Sequence, residues 1–150
     1  MIWTPHATVA VIVEQGGRYL LVKEMSQGKV VYNQPAGHIE EDESIFDAAT
    51  REALEESGWS ITLKSVIGLY TYKAPSNGIT YYRICFEAQA VEKVTNTLDP
   101  DIISAHWLTY GEITAIEEQL RSPLVKTCID DFRNNQRYPL SLISESPDNG

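Results

Sequence analysis

The first part of the chain alternates short apolar runs with turn-forming residues, a pattern that predicts strands joined by tight loops. Residues 7–13 form an apolar, β-branched run typical of a buried strand. A glycine turn at 15–17 and a second apolar run at 19–23 predict the returning strand of a hairpin. A short extended piece at 30–32 then leads into a predicted loop at 35–37.

The second half of the chain shows longer patterns of both kinds. We predict strands at 60–72, with a break at Gly68, at 81–91 and at 104–108, separated by a turn at 74–78 and a loop at 99–101. Residues 111–120 and 123–132 have helical periodicity. Strands before, between and after helices indicate an α+β or α/β domain with helices packed on a sheet, although the pattern does not give the strand order.

The segment from residue 44 to residue 58 carries the signals of one helix. Ser44 suits the N-cap, and Asp47, three residues later, stands where a variant of the capping box would be completed. The alanines and leucine that follow are good helix formers, and Gly58 suits the residue after the last turn. We therefore predict a helix between Ser44 and Gly58.

The C-terminal half of this predicted helix is acidic on the side that should face inward. Glu52, Glu55 and Glu56 are three and four residues apart, so they lie on neighbouring turns of the face that begins with apolar residues. Like charges stacked in this way cost stability unless a cation lies among them. Because carboxylate oxygens suit Mg²⁺, Mn²⁺ or Ca²⁺, the pattern predicts a metal site rather than a solvated helix end.

Length and composition indicate one globular domain. The chain has 150 residues, of which 43% are hydrophobic, and we predict a single domain over residues 1–150 with a flexible tail at about 144–150. No apolar run approaches the roughly 20 residues of a membrane span, and the N-terminus lacks signal-peptide features. Cys85 and Cys128 have no metal-ligand spacing and are expected to be reduced core thiols, which favours a cytoplasmic location.

The charge balance limits the partners. A net charge of −9 argues against a nucleic acid polymer, because sequence-independent binding of a phosphate backbone needs a basic surface. Small phosphorylated substrates remain compatible with it, since a divalent ion and a few arginines reverse the local potential of a cleft. Composition does not distinguish a monomer from a homodimer.

The stretch from residue 37 to residue 59 resembles the Nudix box, G-x5-E-x7-R-E-U-x-E-E-x-G-U, in which U is a bulky apolar residue. All seven fixed positions are met, for which the chance at one start site is on the order of 10⁻⁸. One apolar position departs from the pattern, because an alanine replaces the usual larger residue there. The matching residues are Gly37, Glu43, Arg51, Glu52, Ala53, Glu55, Glu56, Gly58 and Trp59.

Short motifs outside the box resemble a phosphatase branch of the same family. They are NQPAGH at 33–38, RSPLV at 121–125 and QRYPL at 136–140, within a wider likeness that runs from residue 5 to about residue 143. The resemblance implies an α+β fold, namely the α/β/α Nudix sandwich. In that fold a mixed curved β-sheet lies between helices, and the box forms a loop–helix–loop.

The resemblance also implies a chemistry, the Mg²⁺-dependent hydrolysis of phosphoanhydride bonds, with Mn²⁺ as a substitute ion. Divalent ions held by carboxylates neutralise the charge that grows on phosphate oxygens and lower the pKa of a bound water, which attacks phosphorus. For the phosphatase branch, the implied substrates are nucleoside di- and triphosphates and a hydroxymethylpyrimidine diphosphate.

Individual roles follow from position in the box. The implied metal ligands are Glu52, Glu55 and Glu56, joined by the backbone carbonyl of Gly37. The expected general base is Glu56, and the alternative is an acid from a distant loop, for which Asp101 is the best match.

Other polar residues complete the predicted site. Glu43 and Arg51 belong to the implied catalytic set, and for Arg51 we favour a helix-fixing ion pair, whereas orientation of the box and support of the metal both stay open for Glu43. Arg83 and His38, together with Asp101, are the substrate-binding candidates, although a loop histidine such as His38 is more often structural. Arg18, Lys23 and Arg121 are weaker candidates, because isolated cations are usually solvated.

Three alternatives stay open. The first is hydrolysis of another diphosphate-linked metabolite, such as a nucleotide sugar or a dinucleotide. The second is a non-catalytic, nucleotide-sensing Nudix-like module, which the complete set of box glutamates disfavours. The third is a structural calcium helix, which lacks its twelve-residue loop pattern in this chain.

Overall fold

The computed structural model describes residues 1–146, which form seven strands, three α-helices and two short 3₁₀ turns. The strands are β1 (His6–Gln15), β2 (Arg18–Ser26), β3 (Lys29–Asn33), β4 (Ala36–His38), β5 (Trp59–Lys73), β6 (Thr80–Lys93) and β7 (Ile102–Thr109). The helices are α1 (Ile45–Ser57), α2 (Tyr110–Ala115) and α3 (Pro123–Arg133), and the 3₁₀ turns are Glu117–Gln119 and Leu140–Leu142. Residues 147–150 of the predicted tail lie outside the described residues. In the described range no helix is long and apolar enough to span a membrane.

Strand β1 joins the two halves of a mixed sheet. It pairs in parallel with β6 and antiparallel with β4, and β6 pairs antiparallel with β5. Strand β2 pairs with β1 only beside the hairpin turn and continues with β3 and β7 as its neighbours. Because β4 occupies the edge of β1 where β2 leaves it, the two halves diverge and residues 36–38 lie between them.

The helices cover both faces of this sheet. All five residues from Val9 to Val13 are buried, so β1 has no solvated face. Val9, Val11 and Val13 belong to the core cluster that includes the alanines of α1, whereas Ala10 and Ile12 pack in the cluster that includes α3. The expected α/β/α layering is therefore confirmed.

Three features differ from the sequence-based prediction. The predicted loop at 35–37 contains strand β4, because Gly37 and its neighbours pair with β1. The predicted helix at 111–120 ends at Ala115 and is followed by a 3₁₀ turn, since Leu120 must leave the helix to form a bridge with Tyr32 of β3. At Gly68 strand β5 continues, with a shift of register opposite β6 rather than an end.

Candidate active site

Helix α1 has the bounds that its capping residues predict. The Ser44 Oγ accepts a hydrogen bond from the Asp47 N–H at 3.0 Å. Gly58 has φ +79°, and its N–H donates to the Leu54 carbonyl at 2.9 Å. A Cβ on Gly58 would overlap with the Thr95 carbonyl oxygen, so glycine also allows the chain after β6 to pass close to the helix end.

Three carboxylates meet beside the last turns of α1. Glu52 and Glu56 are each only 9% exposed. Each offers an oxygen that lies, together with one from Asp99, within a group whose atoms are all within 4.8 Å of one another. Asp99 reaches this position because its N–H donates to the Glu55 carbonyl at 2.9 Å, which attaches the loop before β7 to the helix. An all-carboxylate set of this size fits a hard divalent cation.

The protonation of these groups shows the cost of clustering. Burial raises the pKa of Glu56 to about 9, and the charges of Glu24, Glu52 and Asp99 act in the same direction. The Ala36 N–H donates to Glu56 Oε1 at 2.9 Å and opposes the rise. Burial also raises the pKa of Glu52, although Arg51 works against it. A cation bound among these oxygens would remove the penalty.

Arg51 neutralises the other side of the helix. Its Nε and Nη2 contact the two oxygens of Glu43 at 2.6 and 3.0 Å, and its Nη1 donates to Glu52 at 2.8 Å and to Glu55 at 3.0 Å. Its Nη2 also donates to the His38 carbonyl at 3.0 Å. The hydrogen bonds from Arg51 lower the pKa of Glu43, and those carboxylates raise the pKa of Arg51. The ion pair favoured for Arg51 is therefore present, and it ties the loop before α1 to the helix.

Glu55 and Gly37 have different surroundings from the two buried glutamates. The Glu55 side chain is 41% exposed, pairs with Arg51 and lies outside the group of three carboxylates. Gly37 lies in β4 opposite Val9, and a Cβ there would overlap with the Glu52 carboxylate. Glycine at this position leaves the space that the Glu52 side chain fills.

A polar cavity of about 320 Å³ lies beside the buried acids, and we call it the acidic cavity. Arg121 contributes a guanidinium to its wall, and Arg121 Nη1 lies 2.5 Å from the carboxylate of Glu24, a buried residue of β2. The residues that line it are Glu24, Met25, Ser26, Gln27, Glu56, Asp99, Asp101, Ile102 and Arg121.

The three substrate-binding candidates lie in different places. Asp101 lines the acidic cavity. His38 hydrogen-bonds His6 at 2.9 Å, and its pKa is lowered by burial and then by the charges of His6 and Arg121. Arg83 is buried on β6, where it donates to the Gln34 side chain at 2.9 Å, and it is not among the residues that line the acidic cavity.

Sequence reasoning missed Asp99 and Glu24 at this site and ranked Arg121 among the weaker candidates. Asp99 stands two residues before Asp101 in the same predicted loop, so that loop offered two acids rather than one. Glu24 continues the period-two pattern of Leu20 and Val22 on β2, which signals an inward-facing acid. Arg121 had been ranked with the solvated cations, and only its place in the RSPLV motif marked it.

Comparisons with known proteins agree with this geometry. The model of the NUDIX domain family matches residues 4–128. Phosphatase NudJ of Escherichia coli (strain K12) is 38% identical over 143 residues, which cover 94% of this chain and 92% of that protein. A NUDIX hydrolase from Nitrosomonas europaea has a TM-score of 0.93 and 41% identity, covering 95% of this chain and 98% of its own. The MutT protein from Methanosarcina mazei Go1 shares the fold, with a TM-score of 0.73, 20% identity and coverage of 91% of this chain and all of its own.

Proposed function

The chain belongs to the Nudix family and is a pyrophosphohydrolase, and we propose that it is a Mg²⁺-dependent phosphatase of nucleoside di- and triphosphates. Hydroxymethylpyrimidine diphosphate belongs to the same proposal. Support comes from the likeness over most of the chain to phosphatase NudJ. Nudix hydrolases as a class use divalent metals, and the acidic cluster of this chain offers the ligands for one.

The observation that carries the proposal is the cluster of Glu52, Glu56 and Asp99, of which Glu56 and Asp99 line the acidic cavity. In the proposed enzyme these three side chains hold Mg²⁺, and Glu55 supplies a further carboxylate from the same turn of α1. When bound, the ion supplies the positive charge that phosphate oxygens need and activates water for attack. The ion pair between Arg51 and Glu43 holds the preceding loop against the helix.

Proton transfer has two candidates in this cavity. Glu56 belongs to the group of three carboxylates and lines the cavity, beside the place that a bound ion and its water would take. Asp101 lies at the wall of the same cavity but outside the group of three carboxylates. We favour Glu56 because it is nearer to the water that the ion would activate. Replacing Asp101 by Asn should then leave most of the turnover.

The test measures steady-state hydrolysis with and without Mg²⁺ for the wild type, Glu56→Gln and Glu92→Gln. Glu56→Gln should lower kcat by about 1,000-fold, because it removes the negative charge that holds the ion, and the ion stabilises the transition state. Glu92 is an exposed glutamate of β6, so its variant should match the wild type. Wild-type rates in Glu56→Gln, with normal circular dichroism, would refute the site.

A screen for released phosphate identifies the substrate. The panel contains nucleoside di- and triphosphates, hydroxymethylpyrimidine diphosphate, nucleotide sugars and dinucleoside polyphosphates. Inorganic phosphate as the main product of the first two groups supports the proposal. Preference for a nucleotide sugar, with two phosphorylated products, would replace it with the alternative of a diphosphate-linked metabolite.

A further inference from the structure

A second cavity of about 460 Å³ adjoins the acidic cavity, and the two share one residue, Arg121. This volume suits a small organic group, because ligand pockets usually occupy about 300–1,000 Å³. The residues that line the second cavity are Tyr72, Glu117, Leu120, Arg121, Ser122, Pro123, Lys126, Thr127 and Asp130.

The backbone of Arg121 is fixed between the two cavities. Its N–H donates to the Tyr32 carbonyl at 2.8 Å, and the preceding residue, Leu120, forms a parallel bridge with Tyr32. The segment before α3 is thus attached to the edge of β3. This attachment explains why an arginine so far from α1 in sequence belongs to the same site.

The guanidinium of Arg121 has a protein partner for only one of its donors among residues 1–146. Its partner Glu24 is 4% exposed, whereas the Arg121 side chain is 50% exposed. A guanidinium has five N–H donors, and among residues 1–146 that of Arg121 makes one hydrogen bond, from Nη1 to Glu24. The remaining donors stay available to a ligand in either cavity.

A second arginine–glutamate pair shows what an ordinary surface pair looks like in this chain. Arg18 and Glu112 are both 53% exposed and lie 3.4 Å apart. Such pairs contribute little to stability. In the Arg121 pair the carboxylate is buried, which costs free energy that the pair recovers only in part. The buried carboxylate of Glu24 therefore holds the exposed guanidinium of Arg121 in one position, where a ligand can reach it.

An anion binds beside this guanidinium only together with a divalent ion, because the wall of the acidic cavity is otherwise negative. The acidic cavity has four carboxylates on its wall, from Glu24, Glu56, Asp99 and Asp101, and Arg121 is the one cation among its lining residues. A polyphosphate that binds a divalent ion at these acids still carries charge on its outer phosphate. The planar fork of an arginine binds phosphate in a bidentate manner and is better suited to this than a lysine.

We propose that Arg121 binds the phosphate that is not attacked, that Glu24 positions its guanidinium, and that the organic group of the substrate lies in the second cavity. This inference rests on the proposed function and extends it to the substrate class. The ligand is a di- or triphosphate ester of a small organic group, bound across Arg121 with one end at the acidic cluster.

The test compares KM and kcat, with saturating Mg²⁺, for the best nucleotide of the screen in four variants. Arg121→Gln should raise KM at least tenfold and change kcat less than threefold. Arg121→Lys keeps the charge without the fork and should raise KM about threefold. Glu24→Gln should raise KM between these values because it releases the guanidinium, and Arg18→Gln, which breaks the surface pair, should leave both constants unchanged.

A binding measurement separates recognition from turnover. The nucleoside-bearing product should inhibit the wild type competitively, and its inhibition constant should rise tenfold in Arg121→Gln, whereas the Mg²⁺ concentration for half-maximal rate should stay unchanged. A purely structural role would instead lower the melting temperature and leave KM alone.

The outcomes distinguish this inference from the proposed function. If the wild type hydrolyses phosphoanhydrides with Mg²⁺ while KM stays within twofold in Arg121→Gln and Arg121→Lys, the inference is overturned and the function stands. If the wild type shows no such hydrolysis, both fall. Should Arg121→Gln not fold, Arg121→Lys, which keeps the ion pair with Glu24, decides: an unchanged KM overturns the inference.

Discussion

The two sides of the acidic end of α1 differ in what neutralises their charge. On one side Arg51 contacts Glu43, Glu52 and Glu55, and it lowers the pKa of Glu43. On the other side the pKa of Glu56 is raised to about 9 by burial, and no lysine or arginine of residues 1–146 forms an ion pair with Glu56 or Asp99.

This difference separates two tasks that the box motif combines. On the Arg51 side each of these glutamates has a cation partner within the chain, so the ion pairs hold the loop before α1, β4 and the helix together. The Glu56 side has no lysine or arginine partner among residues 1–146, so in the proposed enzyme it is the side where the metal binds. Glu52 belongs to both, because it accepts from Arg51 and lies within the group of three carboxylates.

Removing Arg51 should cause the largest loss of stability among the substitutions considered. Arg51→Gln leaves Glu43 and Glu52, both mostly buried, without their cation, which should cost about 3 kcal/mol of stability at pH 7. Urea unfolding with magnesium-free buffer measures the loss. Arg18→Gln is the matched control, since an exposed pair contributes little to stability. Equal losses in the two variants would show that Arg51 has no structural role.

Displacing Glu52, which belongs to both sides of α1, should lower activity. Gly37→Ala places a Cβ on the Glu52 carboxylate, so the side chain must move away from Glu56 and Asp99. We expect kcat/KM to fall about 100-fold, which corresponds to about 2.7 kcal/mol of transition-state stabilisation. Steady-state kinetics over a range of Mg²⁺ concentrations measure it.

Gly111→Ala is the control for this substitution, because its only near neighbour within 4 Å would be the Thr109 Oγ1 at 3.9 Å. This variant should keep full activity. If Gly37→Ala keeps wild-type kinetics as well, Glu52 does not need its present position.

The sequence predicted the parts of this site that depend on local spacing. The bounds of α1, the inward turn of Glu52 and Glu56, and the Arg51 ion pair follow from helical periodicity and capping residues within one segment. The three-layer fold followed from apolar runs and from the family resemblance. The roles assigned to the site residues stay predictions, those of Glu52, Glu55 and Glu56 included.

The parts that the sequence did not predict depend on contacts between distant segments. Asp99 joins the glutamates through a backbone hydrogen bond to Glu55, and Arg121 through the bridge between Leu120 and β3. Strand β4 is too short to have a periodic pattern and exists because β1 offers a free edge after β2 leaves it. Periodicity carries no information about such pairings, so two of the residues that line the acidic cavity were ranked low or missed.

Because Glu56 has no cation partner within residues 1–146, the stability of the metal-free protein should depend on pH. Glu56 keeps its proton up to about pH 9 in the folded state but loses it near its ordinary pKa of 4.5 when unfolded. The folded state thus binds more protons between these values, so its stability is fully present below about pH 4.5 and is lost as the pH rises. Glu56→Gln should flatten this profile between pH 5 and pH 8, because the variant has no carboxyl group to take up the proton. Mg²⁺ should stabilise the wild type at pH 8 more than the variant, since ion binding favours the ionised carboxylate.

Urea titrations in chelator, with Glu92→Gln as control, test this pH dependence. Parallel profiles for the wild type and Glu56→Gln would mean that Glu56 is already ionised in the folded protein. The two sides of α1 would then not differ in the way proposed.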